Sequence, residues 1–555
     1  MEFIKKEYKT ILLMSLLFFV SAFLFKYKMT DLYIDFGRET IIPRSILEGK
    51  VLYRDIFSIY FPFSYLLNAV FLKLLGVNLK TFNIIGFLNT YVIFISLYFI
   101  ARKFLDRVYS VLLCFFMLFV CAVVPAVTNY ITPYSYAVVY GISAVCLCIL
   151  CSFSYLKTCR TIFLYIAFLS AGIALANKFD YVFCIIPLIW AVLYKKTTIK
   201  TKAKTICICC ALYFMPIAVS FAILAYQGLT IYDLNNYFQI INRYIHSPLL
   251  YEFYRGTMTF SLKEFIGEII LMFISAGIFV SVFKILKFFA NKNIKNTELL
   301  IFVALFFMFY KLEIFSTTLF FHYFPLLLFL LFIFKIKEIK NDPQLLFLIL
   351  MTFSFGIKSL FLLNTSQYGR YFLPFYMLCI VIVLVQYYFL KDSDINKRAV
   401  VLVLCALITA NLCINIETFK YYSHKIQTPH GTVYATEKDK KIFDYIINYV
   451  KQNTDKNDKI VVLRESSIIN FLTDRKTDDF YNHFENISFY AFGEDKIISH
   501  YNKNKPDYFI IFTSLSDNNA FCNGYGANTC RWIEKNYNLK QIIKSEPLIL
   551  IFEKI

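Results

Sequence analysis

Four acidic side chains in one short stretch are the first residues whose type and spacing suggest chemistry. Asp31, Asp35, Glu39 and Asp55 lie in TDLYIDFGRETIIPRSILEGKVLYRDIFSIYFPFSYL, residues 30–66, shortly after the first apolar run. A carboxylate there can act as a general base and remove a proton from a hydroxyl group. We expect Asp35 to be this base, with Asp31, Glu39 and Asp55 as supporting acids. Pairing of Asp55 with Arg54 or Lys50 is an alternative role for that acid.

Basic and aromatic side chains that suit a phosphate or a sugar recur in other polar stretches. Lys178 lies between two apolar segments that have almost no loop between them, where a merely solvated charge would be out of place. Arg370, in NTSQYGRYFLP, lies at the mouth of another apolar segment. Anchoring a helix at a membrane interface is the more common role of a single such cation. The residues predicted to contact phosphate are Lys178, Arg370 and Arg243, and those predicted to contact other parts of a substrate are Arg44, Tyr60, His246, His322 and Tyr371.

The composition predicts a polytopic α-helical membrane protein. The 555 residues are 59% hydrophobic and 17% charged, and the mean hydropathy is +0.60. A typical soluble domain carries about 25% charged residues. Apolar runs close to the length of a membrane-spanning helix recur along the chain. The thirteen predicted segments are 11–27, 81–101, 108–126, 133–153, 161–176, 179–194, 205–226, 264–288, 298–314, 318–336, 344–363, 371–390 and 398–415.

The charge distribution predicts how the chain is oriented in the membrane. The net charge is +20, but from Glu417 onward 19 Lys or Arg face 18 Asp or Glu, so the excess lies in the apolar part. Basic residues precede the first segment and follow every even-numbered one, which is typical of cytoplasmic loops and not of a nucleic-acid groove. We therefore predict a cytoplasmic N-terminus and, after an odd number of spans, an extracytoplasmic C-terminal part.

Two domains follow from these patterns. Residues 1–415 form the predicted transmembrane domain, whose first extracytoplasmic loop, 28–80, contains two amphipathic stretches suited to helices on the membrane surface. A second polar and aromatic loop covers 227–263. Residues 416–555 alternate helix and strand patterns and predict a small α/β domain.

The cysteines divide between these two parts. Of 15 cysteines, 13 lie at or before Cys413, mostly inside apolar runs, and we predict no metal site among them. Cys522 and Cys530 lie in the polar C-terminal part. If that part is extracytoplasmic, a disulfide between them or two free thiols are both compatible with the sequence.

This location restricts the chemistry that the acids and cations can perform. No nucleotide sugar is available outside the cell, so a transferase there needs a lipid-linked donor whose phosphate lies at the interface. The chain would then bind a polyprenyl-phosphate sugar as donor and a glycan, lipid or protein as acceptor. Nothing in the sequence requires a cofactor, although Asp31 or Asp55 could help to bind a divalent metal. Two alternatives remain: a transporter or flippase of a lipid-linked sugar or an anionic envelope precursor, and a non-catalytic envelope assembly protein.

The whole chain resembles the GT-C superfamily of glycosyltransferases, of the bacterial protein mannosyltransferase and lipid A aminoarabinose transferase type. Three stretches are similar to those of bacterial members: the first loop from DFGRETIIP to FLKLLG, GIALANKFDY and QYGRYFLPFY. The resemblance implies a bacterial inner-membrane hexosyl- or pentosyltransferase with Asp35 as base and Lys178 and Arg370 at the donor phosphate. The paired Asp-Glu of protein mannosyltransferases and the Trp-Trp-Asp motif of oligosaccharyltransferases are both absent.

Overall fold

A computed structural model describes most of the chain. The described residues are 2–195, 198–257, 297–311, 323–357, 368–388, 394–464, 468–477, 480–482, 484–514, 517 and 520–555, together with isolated positions between 266 and 288. His322, predicted above to contact a substrate, lies outside these residues, as does most of the predicted segment 264–288.

The described residues as far as Tyr421 are mainly helical. The described ones are α1 (Glu2–Phe25), α2 (Phe36–Leu47), α3 (Phe63–Leu75), α4 (Leu79–Ala101), α5 (Arg107–Phe116), α6 (Tyr136–Thr158), α7 (Thr161–Asn177), α8 (Ile185–Tyr194), α9 (Ile199–Tyr226), α10 (Ile231–Ile245), α11 (Pro248–Thr257), α12 (Thr297–Lys311), α13 (Phe324–Phe334), α14 (Ile336–Ile339), α15 (Pro343–Phe355), α16 (Leu373–Val383) and α17 (Asp394–Tyr421). Short 3₁₀ or π stretches cover Met117–Ala122, Phe179–Cys184, Tyr368–Tyr371 and Leu384–Tyr388.

These helices make the protein a multi-pass helical membrane protein. Within the described residues, five helices are long and apolar enough to cross a bilayer: Glu7–Phe25, Leu79–Ala101, Tyr136–Thr158, Ile199–Tyr226 and Arg398–Tyr421. Each predicted apolar segment except 264–288 overlaps a described helix. Several of those helices are shorter than a full span, so the count of thirteen stays a prediction.

The two helices of the first loop differ in burial. Helix α3 keeps an exposed apolar side that includes Val70 and Leu74, as expected of a helix on a membrane surface. Helix α2 is different, because every residue from Phe36 to Pro43 is buried. It packs against α3 and a short helix of the C-terminal part, so the prediction of a surface helix is wrong for α2.

The C-terminal part contains a sheet flanked by helices, and a small hairpin joins it to the helical part. Strands β1 (His424–Thr428) and β2 (Gly431–Ala435) form the antiparallel hairpin. Strands β3 (Ile460–Leu463), β4 (Tyr508–Thr513), β5 (Tyr537–Ile543) and β6 (Leu548–Lys554) form one sheet in the order β3-β4-β6-β5, with only β3 and β4 parallel. The helices are α18 (Glu437–Asn453), α19 (Ile468–Thr473), α20 (Asn486–Phe492), α21 (Glu494–Lys503) and α22 (Ala527–Asn536). Cys522 and Cys530 are joined by a disulfide.

The C-terminal part lies directly on the first loop. The Tyr33 hydroxyl donates to Asp439 at 2.6 Å, and the Lys50 ammonium donates to the Thr477 carbonyl at 2.6 Å. The second loop joins the same interface, because the Tyr244 hydroxyl donates to Glu485 at 3.1 Å. Both predicted external loops and the C-terminal part therefore lie at one end of the helical bundle.

Candidate functional site

Asp31 and Asp35 perform different tasks although they are only four residues apart. The Asp31 carboxylate accepts the backbone N–H groups of Tyr33, Ile34 and Asp35 at 2.9–3.2 Å and so closes the turn before α2. The Asp35 side chain makes no capping hydrogen bond to α2. An aspartate in front of a helix usually caps it, but the Asp35 carboxylate does not and faces Arg38 of the next turn.

The Asp35 carboxylate is held by a buried arginine from the next turn. Asp35 Oδ1 lies 3.0 Å from Arg38 Nη2, and the exposed fractions of the two side chains are 21% and 3%. Arg38 is therefore almost sealed from solvent, whereas a ligand can still reach Asp35. The same Arg38 nitrogen donates to the Tyr134 carbonyl at 2.7 Å, so the guanidinium has a fixed position.

Lys178 lies in the same group of side chains. Its ammonium donates to the Tyr134 hydroxyl at 2.7 Å and lies 3.3 Å from Asp180. The Tyr60 ring is close to both cations, with Arg38 Cζ 5.1 Å and Lys178 Nζ 5.0 Å from its centre. These distances allow cation–π attraction between the ring and each cation. We call Asp35, Arg38, Tyr60, Tyr134 and Lys178 the Asp35 cluster.

Arg370 and Tyr371 reach the Asp35 cluster through its tyrosines. The Tyr371 ring centre is 5.6 Å from that of Tyr134, and the Tyr371 hydroxyl donates to the Asn129 carbonyl at 3.1 Å. Arg370 precedes Tyr371 in a 3₁₀ turn. Burial lowers the pKa of the Arg370 guanidinium, which indicates a site of restricted water access. Arg370 is therefore close to Tyr371, the residue whose ring contacts Tyr134 of the cluster.

Glu39 lies behind the cluster and is fully buried. It accepts hydrogen bonds from the Tyr65 hydroxyl at 3.0 Å and from the Tyr136 backbone N–H at 2.9 Å, and so ties α2 to α3 and α6. Burial raises the pKa of Glu39 to about 7, although Arg38 and these hydrogen bonds act in the opposite direction. Glu39 therefore fixes the position of α2. The charge of the Glu39 carboxyl changes with pH near neutrality.

Asp55 pairs with its neighbour Arg54, one of the alternatives that the sequence left open. It bonds Arg54 at 2.8 and 2.9 Å and accepts the Val51 backbone N–H at 2.7 Å. Burial raises the pKa of Asp55, but the bonds from Arg54 and Val51 outweigh burial and hold that pKa below its ordinary value.

Three predicted cations contact other parts of the molecule. Arg44 bonds Glu48 and Asp474, both at 2.8 Å, and so links α2 to the C-terminal part. Arg243 faces Gly493, and the exposed His246 bonds the Asn242 carbonyl of its own helix. No contact between these three cations and the Asp35 cluster is seen in the described part of the chain, and their roles toward a substrate stay predictions.

Tyr134 is the residue that sequence reasoning missed. Its carbonyl holds Arg38 and its hydroxyl holds Lys178, so it joins the two cations. The Asn129 side chain fixes the preceding turn through bonds to Met29, Ala126, Ile131 and Thr132. The signal in the sequence is TNYITPYSY, a polar and aromatic break between two apolar segments, but its spacing does not reveal which tyrosine faces the cations.

Asp31 and Asp55, the acids that left a divalent metal open, are each engaged in other contacts. Among the described residues there is no group of three or more His, Cys, Asp or Glu side chains arranged to hold a metal ion. Asp31 is occupied by three backbone N–H groups and Asp55 by Arg54.

The Asp35 cluster combines a reachable carboxylate with fixed positive charge. A carboxylate can accept a proton from a hydroxyl group, and buried cations stabilise negative charge that develops beside them more strongly than cations in water. The geometry therefore suits group transfer in which a hydroxyl is deprotonated and an anionic group departs.

Comparison with known proteins gives structural similarity at low sequence identity. No protein-family model matches the chain, and no curated protein sequence matches it. The chain is similar to ArnT from Cupriavidus metallidurans bound to undecaprenyl phosphate, with a TM-score of 0.49 and 10% identity over 99% of this chain and 98% of ArnT. It is also similar to the Archaeoglobus fulgidus oligosaccharyltransferase in complex with Zn and sulfate, with a TM-score of 0.48 and 12% identity over 97% of this chain and 73% of the other. A third structure is AglB from the same archaeon with an inhibitory peptide and a dolichol-phosphate, with a TM-score of 0.47 and 11% identity over 92% and 70% of the chains. ArnT and AglB are GT-C glycosyltransferases, the superfamily that the sequence resembles.

Proposed function

We propose that this protein is an integral-membrane glycosyltransferase that moves a sugar from a polyprenyl-phosphate donor to an acceptor hydroxyl. The observation that carries the proposal is the reachable Asp35 carboxylate, which pairs with the buried Arg38. Arg38 in turn shares Tyr60 and Tyr134 with a second buried cation, Lys178. Asp35 and Arg38 lie at the start of α2, which follows the first membrane helix in sequence and packs against α19 of the C-terminal part. In the proposed arrangement, a donor anchored in the bilayer presents its phosphate there. The loop charges favour the extracytoplasmic face for this reaction, with the N-terminus in the cytoplasm of a bacterial cell.

The proposed reaction is a single displacement. Asp35 accepts the proton of the acceptor hydroxyl, and the hydroxyl oxygen attacks the anomeric carbon of the donor sugar. The bond between that carbon and the phosphate oxygen breaks, and its electron pair leaves with the polyprenyl phosphate. One displacement inverts the anomeric centre.

The cations have separate tasks in this mechanism. Lys178 and Arg370 stabilise the negative charge on the departing phosphate. Arg38 holds Asp35 Oδ1 and orients the carboxylate toward the acceptor. Tyr60 and Tyr134 keep Arg38 and Lys178 at a fixed separation, so little reorganisation is needed when charge develops.

A transferase and a flippase are distinguished by the chemical fate of the donor. The purified protein is placed in liposomes with a panel of undecaprenyl-phosphate hexoses and pentoses labelled in the sugar, and an envelope extract from cells lacking the protein supplies the acceptor. Transfer releases polyprenyl phosphate and moves the label to another molecule. A labelled lipid that changes leaflet with its sugar still attached would contradict the proposal and identify a flippase.

A further inference from the structure

The tip of the small hairpin is fixed to the first loop by His430. This residue lies in the turn between β1 and β2, and its side chain is 16% exposed. Its backbone carbonyl accepts the Leu79 N–H at 2.7 Å, and its ring atom Nδ1 lies 2.6 Å from the Val77 carbonyl oxygen. Its other ring nitrogen, Nε2, lies 3.0 Å from Oδ1 of Asp474, the residue directly after α19. His430 therefore joins the connection between α3 and α4 to the C-terminal part.

Both ring nitrogens of His430 face acceptor atoms. A carbonyl oxygen carries no hydrogen, so Nδ1 must carry a proton and donate it, and an ionised carboxylate likewise only accepts. An imidazole ring that donates from both nitrogens carries two protons and a positive charge. The Phe471 ring, whose centre is 4.8 Å from that of His430, adds an aromatic surface that attracts a cation. A neutral ring could donate to only one of the two acceptors.

The surroundings of Asp474 keep its carboxylate ionised. Asp474 Oδ1 also accepts from Arg44 Nη2 at 2.8 Å, and Lys456 Nζ lies 3.8 Å from Asp474 Oδ2. Burial alone would raise the pKa of Asp474, but the bond from His430 and the nearby positive charges outweigh burial and hold that pKa below its ordinary value. A carboxylate that is charged at neutral pH has no proton to donate, so the proton between Asp474 and Nε2 belongs to His430.

Three elements bring charge close to the His430 ring. The end of α19 brings Asp474, α2 brings Arg44, and the segment between α18 and β3 brings Lys456. Arg44 and Lys456 contact the same carboxylate that the ring contacts. Lys80, at the start of α4, is exposed, and within the described residues no contact joins it to the ring. The Nε2 proton is therefore what makes the contact between His430 and Asp474 attractive.

We propose that His430 is a proton-dependent clamp between the first loop and the C-terminal part. With both ring protons, His430 bonds Val77 and Asp474 at the same time. When Nε2 loses its proton, a nitrogen lone pair faces a charged carboxylate oxygen, and only the bond to Val77 remains. Asp474 stays bound to Arg44, so the hairpin tip loosens from α2 and α19 as the pH rises. Histidine is the side chain that ordinarily changes its charge between about pH 5 and 8.

The clamp reaches the helix that carries Arg38. Arg44 follows Arg38 by less than two turns of α2, and Asp35 directly precedes this helix. The protonation of His430 therefore bears on the position of α2 through Asp474 and Arg44. The predicted orientation puts the clamp on the extracytoplasmic side, where the pH follows the medium. The clamp itself does not rest on the proposed function, which enters only in what a shift of α2 would mean for Asp35.

Nitrogen NMR of the histidine rings tests the clamp in the full-length protein in nanodiscs. The chain has six histidines, and the signal that is absent from His430→Gln identifies His430. We expect the His430 ring to carry both protons at pH 5.5 and to keep only the Nδ1 proton at pH 8.5, because Nδ1 stays bonded to the Val77 carbonyl. A ring that is neutral at pH 5.5, keeps both protons at pH 8.5, or holds its last proton on Nε2 would overturn the inference.

Hydrogen exchange shows whether this proton holds the hairpin. Amide exchange of residues 424–435 is followed by mass spectrometry at pH 5.5 and pH 8.5 and corrected for the intrinsic effect of pH on exchange. We expect the corrected exchange of the wild type to be about ten-fold faster at pH 8.5, since a hydrogen bond to a charged group contributes about ten-fold to an equilibrium. His430→Gln should show no such difference, and a wild-type pH response in that variant would overturn the inference.

Two further variants separate the clamp from other effects of pH. His424→Gln removes another histidine of the same hairpin, in β1, and should keep the wild-type response. In Asp474→Asn the amide can accept from the charged ring or donate to the neutral one, so the response should disappear. None of these measurements needs turnover. A normal pH response in a protein that transfers no sugar would therefore contradict only the proposed function.

Discussion

Arg38 Nη2 lies 3.0 Å from Asp35 Oδ1, and the same nitrogen donates to the Tyr134 carbonyl at 2.7 Å. One guanidinium group thus links the start of α2 to the loop before α6. Because the Tyr134 hydroxyl also holds Lys178, the positions of the carboxylate and of both cations depend on each other.

Arg38→Lys tests whether this link positions Asp35. A lysine has a shorter side chain with one nitrogen, so it cannot place a donor at the Nη2 position and also keep the contact of Arg38 Nε with Glu39 at 3.5 Å. We expect kcat to fall by about ten-fold or more, since misplacing a catalytic group costs rate, while the KM of the donor changes less. Arg107→Lys, at the opposite end of the bundle where Arg107 binds Glu7, is the matched control and should keep wild-type kcat. An Arg38→Lys variant with normal kcat would contradict the positioning role.

Lys178→Gln tests the stabilisation of the departing phosphate. Removal of one group that stabilises developing charge typically costs about a hundred-fold in kcat, and we expect a loss of this order. Tyr134→Phe keeps the ring and removes only the hydroxyl that accepts from Lys178, so its loss should be smaller. Steady-state kinetics on both variants checks this order, and a larger loss in Tyr134→Phe would refute it.

Because the Glu39 carboxyl is buried, we expect the stability of the folded protein to depend on pH. Burial raises the pKa of Glu39 in the folded protein to about 7, above its usual value near 4.5. The folded state therefore binds more protons than the unfolded state between these values, and stability falls as the pH rises through this window. Glu39→Gln resembles the protonated form. Its thermal midpoint should match that of the wild type near pH 5 and exceed it near pH 8.

The measurement is thermal unfolding in detergent at pH 5 and pH 8, followed by tyrosine fluorescence. A wild-type protein that gains stability relative to Glu39→Gln as the pH rises would show that the buried carboxylate is favoured in its charged form, contrary to this account.

Arg44→Ala tests whether Arg44 acts as a structural link or as a substrate contact. Arg44 and Asp474 are bonded at 2.8 Å with exposed fractions of 12% and 28%, and His430 bonds the same carboxylate at 3.0 Å. A double-mutant cycle with Asp474→Asn should give a coupling energy of about 0.5–1 kcal/mol in stability. A rise in KM without loss of stability would instead favour the substrate contact predicted from the sequence.

The helical membrane part is predictable from the sequence because apolar runs of about 20 residues have the length of a membrane-spanning helix. The strands Ile460–Leu463 and Tyr508–Thr513 are predicted for a similar reason, since they are buried along their whole length. The hairpin His424–Ala435 escapes prediction, because its strands alternate polar and apolar residues over only a few positions.

The surroundings of Asp35 are predictable only in part. Acids and cations can be recognised by type, and Lys178 stands out because it interrupts apolar sequence. The burial of α2 is not predictable from periodicity, because it depends on a helix more than 400 residues away, α19. The role of Tyr134 depends on both its carbonyl and its hydroxyl, and no spacing rule identifies such a residue.

Sugar transfer by Asp35→Asn tests the central claim most directly. The variant and the wild type are compared in nanodiscs with the labelled undecaprenyl-phosphate sugars and the envelope extract, and donor binding is measured in parallel. We expect transfer to fall by about 10²–10⁴-fold, the usual contribution of a general base, while the donor still binds because Lys178 and Arg370 are unchanged. Normal transfer by Asp35→Asn would contradict the assignment of Asp35 as the base.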